Sequence, residues 1–170
     1  MKRTYRADKR INEGVDDGTL VAILTQMTND SNLSTVVSGD NDEIGNYQTL
    51  ILNYIQKLEG FRIRLRELHW SAERMSAHKL TDDLMNTLVN IEDDIAEDLQ
   101  GFLGIRIGVG AVSPVMPEAK DIKSLLETIK QETLSLREAI DGVPDFVGIV
   151  SMLDDLVHSM NKSLYLETLG

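Results

Sequence analysis

The 170-residue sequence contains no cysteine. That excludes a disulfide scaffold, a thiolate zinc site and a cysteine nucleophile, and it accords with a reducing compartment. No run approaches the roughly 18 uncharged apolar residues that a membrane helix needs. The first ten residues, MKRTYRADKR, carry charge with no apolar stretch behind them, so no secretory signal is visible. Alternating strand patterns and internal repeats are also missing. These absences predict a soluble, cytoplasmic protein with no membrane segment. The length suits one ordinary domain with a sizeable core.

Charge is present but unevenly spread. Lys2, Arg3, Arg6, Lys9 and Arg10 stand against Asp8 in the first ten residues, whereas the remaining 160 hold 12 basic and 27 acidic side chains. A body this acidic repels phosphate backbones, so DNA could be held only by the basic N-terminal tail. The competing reading of that tail is a solvated arm, or a segment that contacts protein.

Residues 1–42 read as an extension: the basic tail, a short helix over Thr19–Met27, and a polar linker over 29–42. From residue 43 onward the pattern is a helical domain. Ile44, Tyr47, Ile51, Tyr54, Leu58, Phe61, Leu65, Leu68 and Ala72 recur at alternating steps of three and four, the mark of one long helix with a single buried stripe. Gly45 and Gly60 lower its propensity without breaking its period. A second helix carries Leu84, Leu88, Ile91, Ile95, Leu99 and Phe102, with Ser76 as its expected cap. Residues 105–118 are non-periodic and rich in Gly and Pro. A third helix is expected from about Pro117 through Ile140, and a fourth from Phe146 through Leu164. The class is all-α, a four-helix bundle in which the second and third helices are joined by a long crossover.

His69, His78, Asp82, Asp93 and Glu97 are the residues that could carry chemistry. At 100° per residue, the last four fall at about 0°, 40°, 60° and 100° on the second helix, a stripe expected beside its Leu88/Ile91/Ile95 face. The His78/Asp82 and Asp93/Glu97 pairs are nevertheless about 22 Å apart along the axis. A metal ion needs its ligands within about 2–2.5 Å, so the two pairs cannot form one site within a chain. They can if two such helices pack antiparallel about a two-fold axis near Thr87–Leu88. Mixed imidazole and carboxylate ligands suit iron, manganese or zinc. The alternative is a solvated acidic face, since Glu92, Asp93, Asp94, Glu97 and Asp98 form a general acidic run.

The segment LHWSAERMSAHKLTDDLMNTLVNIEDDIAEDL (residues 68–99) resembles the signature of Dps, the DNA-protecting mini-ferritins. His69-Trp70, His78-x-x-x-Asp82 and Asp93-x-x-x-Glu97 follow that family's order, although the stretch between the two histidines is shorter here. The resemblance implies a ferritin-like bundle and a homo-oligomer built on antiparallel dimers, a hollow dodecamer. It also implies a ferroxidase site, di-iron or mononuclear, shared between chains and using peroxide or oxygen to make ferric mineral. The rival expectation is a non-catalytic structural subunit with the same bundle, used in a larger assembly such as a viral particle. Asp155-x-x-His158, Arg62 with Arg66, Met75, Met85, and Gly108 with Gly110 read more simply as surface, packing or loop residues.

Overall fold

The computed structural model describes residues 40–104 and 106–169, with side chains from residue 45 onward. The basic tail residues Lys2, Arg3, Arg6, Lys9 and Arg10, the short helix over Thr19–Met27 and most of the polar linker lie outside the described residues. Four long helices account for most of the rest. They are α1 (Asp40–Trp70), α2 (Met75–Leu103), α3 (Ile122–Ile140) and α4 (Val147–Glu167), with a single 3-10 turn at Pro144–Phe146 leading into α4. No strand occurs among the described residues.

The three-four stripe of α1 is the main wall of the core. Ile51, Tyr54, Leu58, Phe61 and Leu65 are buried along it, and Ile55, one position beside the stripe, is buried with them. They meet Leu84, Leu88, Ile95 and Leu99 of α2, Leu125, Leu126, Ile129 and Leu136 of α3, and Ile149, Leu153, Leu156 and Met160 of α4. Such a stripe forms helices because burial, rather than propensity, supplies most of their stability.

The direction of each helix follows from its contacts. Tyr54 and Lys57 of α1 meet Thr133 and Glu132 of α3, while Gln56 and Arg64 of α1 meet Val115 and Pro117 ahead of α3. In the first two contacts positions advance along α1 as they fall back along α3, so α1 and α3 are antiparallel, while the segment from Val115 to Pro117 runs forward along α1. Phe102 at the end of α2 stacks edge-on against Phe146 at the start of α4, and the start of α2 shares a cleft with Leu166 and Leu169. α2 and α4 are therefore antiparallel as well. α1 packs on α2 and α3, and α4 packs on the same two helices. It follows that α2 and α3 run in the same direction, and the chain between them must travel the length of the bundle.

The crossover does so along α1. The Val115 N–H donates to the Gln56 carbonyl at 2.9 Å, and Arg64 Nη2 donates to the Pro117 carbonyl at 3.2 Å. Gly60 makes this approach possible: a Cβ there would lie 1.9 Å from the Val115 carbonyl oxygen. Gly60 is thus a contact residue as well as a weak point in a helix. At the other end, Gly104 leaves α2 in a left-handed conformation (φ 66°), with its N–H closing on the Gln100 carbonyl at 2.9 Å.

Three boundaries differ from expectation. Asp40 to Asp42 belong to α1, not to the linker. α2 begins at Met75, so Ser76 lies inside it and its first turn has no side-chain cap. α3 begins at Ile122 rather than near Pro117, because Asp121 and Ser124 form a capping box: the Asp121 carboxylate accepts from the Ser124 N–H at 2.8 Å, and Ser124 Oγ faces the Asp121 N–H. Pro117 is meanwhile held in extended chain against α1. Asp141 through Pro144 makes the expected stop before α4, with Gly142 at φ 78°.

Candidate metal centre

The α1–α2 turn is short, with Ser71–Arg74 lying between the helices, and it brings His69 and His78 into direct contact. Their rings stack with centroids 3.7 Å apart and planes inclined by 27°. Each ring also closes on the other residue's backbone. His69 Nδ1 lies 3.1 Å from the His78 carbonyl oxygen, and His78 Nδ1 lies 3.2 Å from the His69 carbonyl oxygen. A carbonyl only accepts, so both Nδ1 atoms carry hydrogen and donate. His69 Nδ1 also reaches Thr81 Oγ1 at 3.2 Å; the Thr81 hydroxyl itself faces the Ala77 and His78 carbonyls.

This arrangement fixes the tautomer of both rings. With Nδ1–H committed to backbone, the lone pair of each neutral imidazole is on Nε2. A histidine that ligates a metal through one nitrogen commonly donates the other N–H to a carbonyl or carboxylate. Both rings meet that condition within one chain. Thr81, buried at the base of the turn, was not singled out in the sequence. Its signal was available: it stands three residues after His78, on the apolar side of α2.

The other three candidates are placed differently. Asp82 follows His78 by one turn of α2 and is exposed, while Asp93 and Glu97 are exposed on the same continuous helix further along. The stripe is not beside the core face. At 100° per residue, Leu84, Leu88, Ile95 and Leu99 centre near 270°, on the opposite side of the helix from Asp93 and Glu97. The acidic positions therefore face away from the bundle. No group of three or more His, Asp or Glu residues within metal-binding reach occurs among the described residues. One chain brings His69 and His78 together and holds the carboxylate pair apart, further along the same uninterrupted 29-residue helix. At the level of the expected two-fold axis, Leu88 is buried in its own core, whereas Asn86, Val89 and Asn90 face outward.

Glu92, within the acidic run, has a structural role instead. Arg62 Nη1 sits between Glu59 and Glu92, at 2.6 and 2.7 Å, and ties α1 to α2. Burial raises the Glu92 carboxyl above its ordinary range, and the nearby Glu59 and Asp93 charges push the same way, against the pull of Arg62. Arg64 bonds Glu67 and the crossover, and Arg66 is exposed. Asp155 and His158 are exposed on α4, as surface residues. No helix among the described residues is long and apolar enough to cross a membrane.

No protein-family model matches the chain. Among curated proteins it is similar to Protein hook of Drosophila willistoni, 26% identical over 141 residues, which covers 81% of this chain and 20% of that protein. The chain thus spans about a fifth of the length of that relative. Identity at this level, along helices with three-four apolar spacing, assigns no role to His69, His78 or the α2 carboxylates.

Proposed function

We propose that this chain is a Dps-like mini-ferritin subunit that oxidises Fe(II) at sites shared by two antiparallel copies. His69, His78 and Asp82 of one copy would bind the iron together with Asp93 and Glu97 of the other. The observation that carries this reading is the reciprocal histidine pair: both Nδ1–H groups face backbone carbonyls, which leaves the lone pair of each neutral ring on Nε2, available to a ligand. The topology supports it, because parallel α2 and α3 joined by one long crossover is the connectivity used by ferritin-like bundles. The outward placement of Asp82, Asp93 and Glu97 supports it too, since a shared site needs these residues at the surface of each chain.

Iron is the substrate. Two Fe(II) ions each give one electron to hydrogen peroxide; two protons are taken up, the O–O bond breaks, and two Fe(III) ions and two waters result. Carboxylates are hard ligands that favour the ferric product, and an acidic surface raises the local concentration of cations. Manganese or zinc would compete for the same donors. The test is peroxide-driven oxidation of anaerobically supplied Fe(II). Asp93→Ala and Glu97→Ala should each slow it by about tenfold or more, since even partners behind a ligand contribute roughly 10–100-fold. Unchanged oxidation in both variants would exclude the assignment.

A second reading is a non-catalytic subunit of a larger assembly, such as a viral particle. It is favoured by the apolar end of the bundle, where Trp70, Met75, Tyr165 and Leu169 are exposed. Protein that assembles but oxidises iron no faster than buffer would select it.

A further inference from the structure

One end of the bundle, where α1 stops, α2 and α3 begin and α4 stops, differs from the rest of the surface. Trp70 is 74% exposed and Met75 78%, and Tyr165, Leu166 and Leu169 are exposed around the end of α4. The same end holds a cleft of about 440 Å³. Leu80, Ile122, Leu166 and Leu169 supply its apolar lining. Single exposed apolar side chains are ordinary, but a group of them beside an apolar cleft marks an interaction site.

The charges at this cleft select the partner. Its lining includes Arg74 and Lys79 against Asp83 and Glu167, two cations and two carboxylates, in a chain whose net charge is −11. The net charge makes two copies repel each other overall, whereas the charges that line this cleft balance. A two-fold axis passing between Lys79 and Asp83, one turn apart on α2, would set each of these charges near its opposite on the other copy. Trp70 precedes Arg74 by four residues and has no apolar cover of its own.

We propose that a second copy of this chain docks on this end, through a two-fold contact in which Trp70 of each copy enters the cleft of the other. A tryptophan seated in an apolar pocket is the strongest common anchor of a protein interface. The cleft lies within the size range that holds small aromatic bodies. This contact is distinct from the antiparallel pairing of α2 and does not depend on iron. If both operate, two different two-fold contacts build assemblies larger than a dimer, either closed rings or filaments.

Trp70 is the sole tryptophan, so its fluorescence reports the contact directly. The experiment follows the full chain through a dilution series, reading mass by light scattering together with tryptophan emission and acrylamide quenching. Association should shift emission to shorter wavelength and remove acrylamide access. Leu166→Asp and Leu169→Asp place a carboxylate in the cleft and should each weaken this association by about tenfold or more; because both residues are exposed, the circular dichroism should stay unchanged. Lys79→Glu should weaken it as well, and Lys79→Glu with Asp83→Lys should restore it. Asp93→Ala, which tests the iron site, should leave the emission shift intact. The proposal is overturned by a chain that stays monomeric throughout. It is equally overturned by assembled protein whose tryptophan remains open to acrylamide, or by assembly that Leu166→Asp and Leu169→Asp leave unaltered.

Discussion

Two sides of the helical hairpin α1–α2 can be set against each other. Along the core side of α1, from Ile51 to Leu65, side chains meet other parts of the chain. Tyr54 donates to the buried Thr133 hydroxyl, whose own proton goes to the Ile129 carbonyl; Lys57 pairs with Glu132; and Gly60 leaves space for the crossover. Burial accordingly pushes the Tyr54 hydroxyl far above its ordinary titration range, despite the Thr133 bond. Along the outer side of α2, His78, Asp82, Val89, Asp93 and Glu97 face solvent. The first surface is explained by folding one chain. The second has a chemical pattern that folding one chain leaves unused, and this separates a structural seam from a candidate site.

The contrast can be broken most strongly from the seam. Leu58→Ala removes a fully buried side chain from the middle of α1 and should destabilise the fold by about 2–5 kcal/mol, read as a lower denaturant midpoint. Asp93→Ala on the outer side should move that midpoint by no more than about 0.5 kcal/mol, the usual range for surface changes. Similar losses for the two would mean that α2 is packed on both sides.

Gly60→Ala is the next largest. The added methyl meets the Val115 carbonyl, so either α1 shifts or the crossover lifts, at a cost of about 1–3 kcal/mol. Faster amide hydrogen exchange should appear along residues 106–121, with α3 and α4 much less affected. Uniform protection through the crossover in this variant would show that the close approach at Gly60 does not hold it.

The smallest effect concerns pH at the start of α3. The Asp121 carboxyl lies below its ordinary range, held there first by the Ser124 backbone N–H and then by the Ser124 side chain. A depressed carboxyl contributes stability that is present above its unfolded value and is lost as pH falls through its folded value. Asp121→Asn keeps a capping oxygen without a titrating group, so acid unfolding of the variant should show less pH dependence over that interval. Asp121→Ala should cost about 1 kcal/mol near neutral pH. Identical acid curves for wild type and Asp121→Asn would remove the cap from the account.

Much of the fold was legible from spacing. The alternation from Tyr47 through Leu68 placed α1 and its buried side, and the non-periodic stretch after Gly104 showed that the second connection is long. Local side-chain chemistry was harder to read. Pro117 in a first-turn position is a reasonable helix start, but the Asp121/Ser124 box sets the start later by giving partners to the Asp121 and Ser124 N–H groups. Gly60 reads as a weakness in any single helix, because its use depends on a chain segment that returns more than fifty residues later. The five candidate ligands were found by residue type and spacing. Spacing alone sets them beside the core face, whereas Asp93 and Glu97 lie across the helix from it, and the reciprocal bonding of His69 and His78 depends on backbone carbonyls exposed by one short turn, which no residue pattern encodes.

The claim that the site is shared between two chains is tested most directly by subunit mixing. His78→Ala and Asp93→Ala proteins are each assayed for peroxide-driven Fe(II) oxidation, then dissociated together, reassembled and assayed again. In a mixed antiparallel pair, one of the two sites draws His78 from one chain and Asp93 from the other, both intact, while the other site carries both defects. The account predicts that oxidation slowed in either variant alone rises again on mixing. If the mixture oxidises iron no faster than its parents while mixed dimers demonstrably form, the shared site is contradicted.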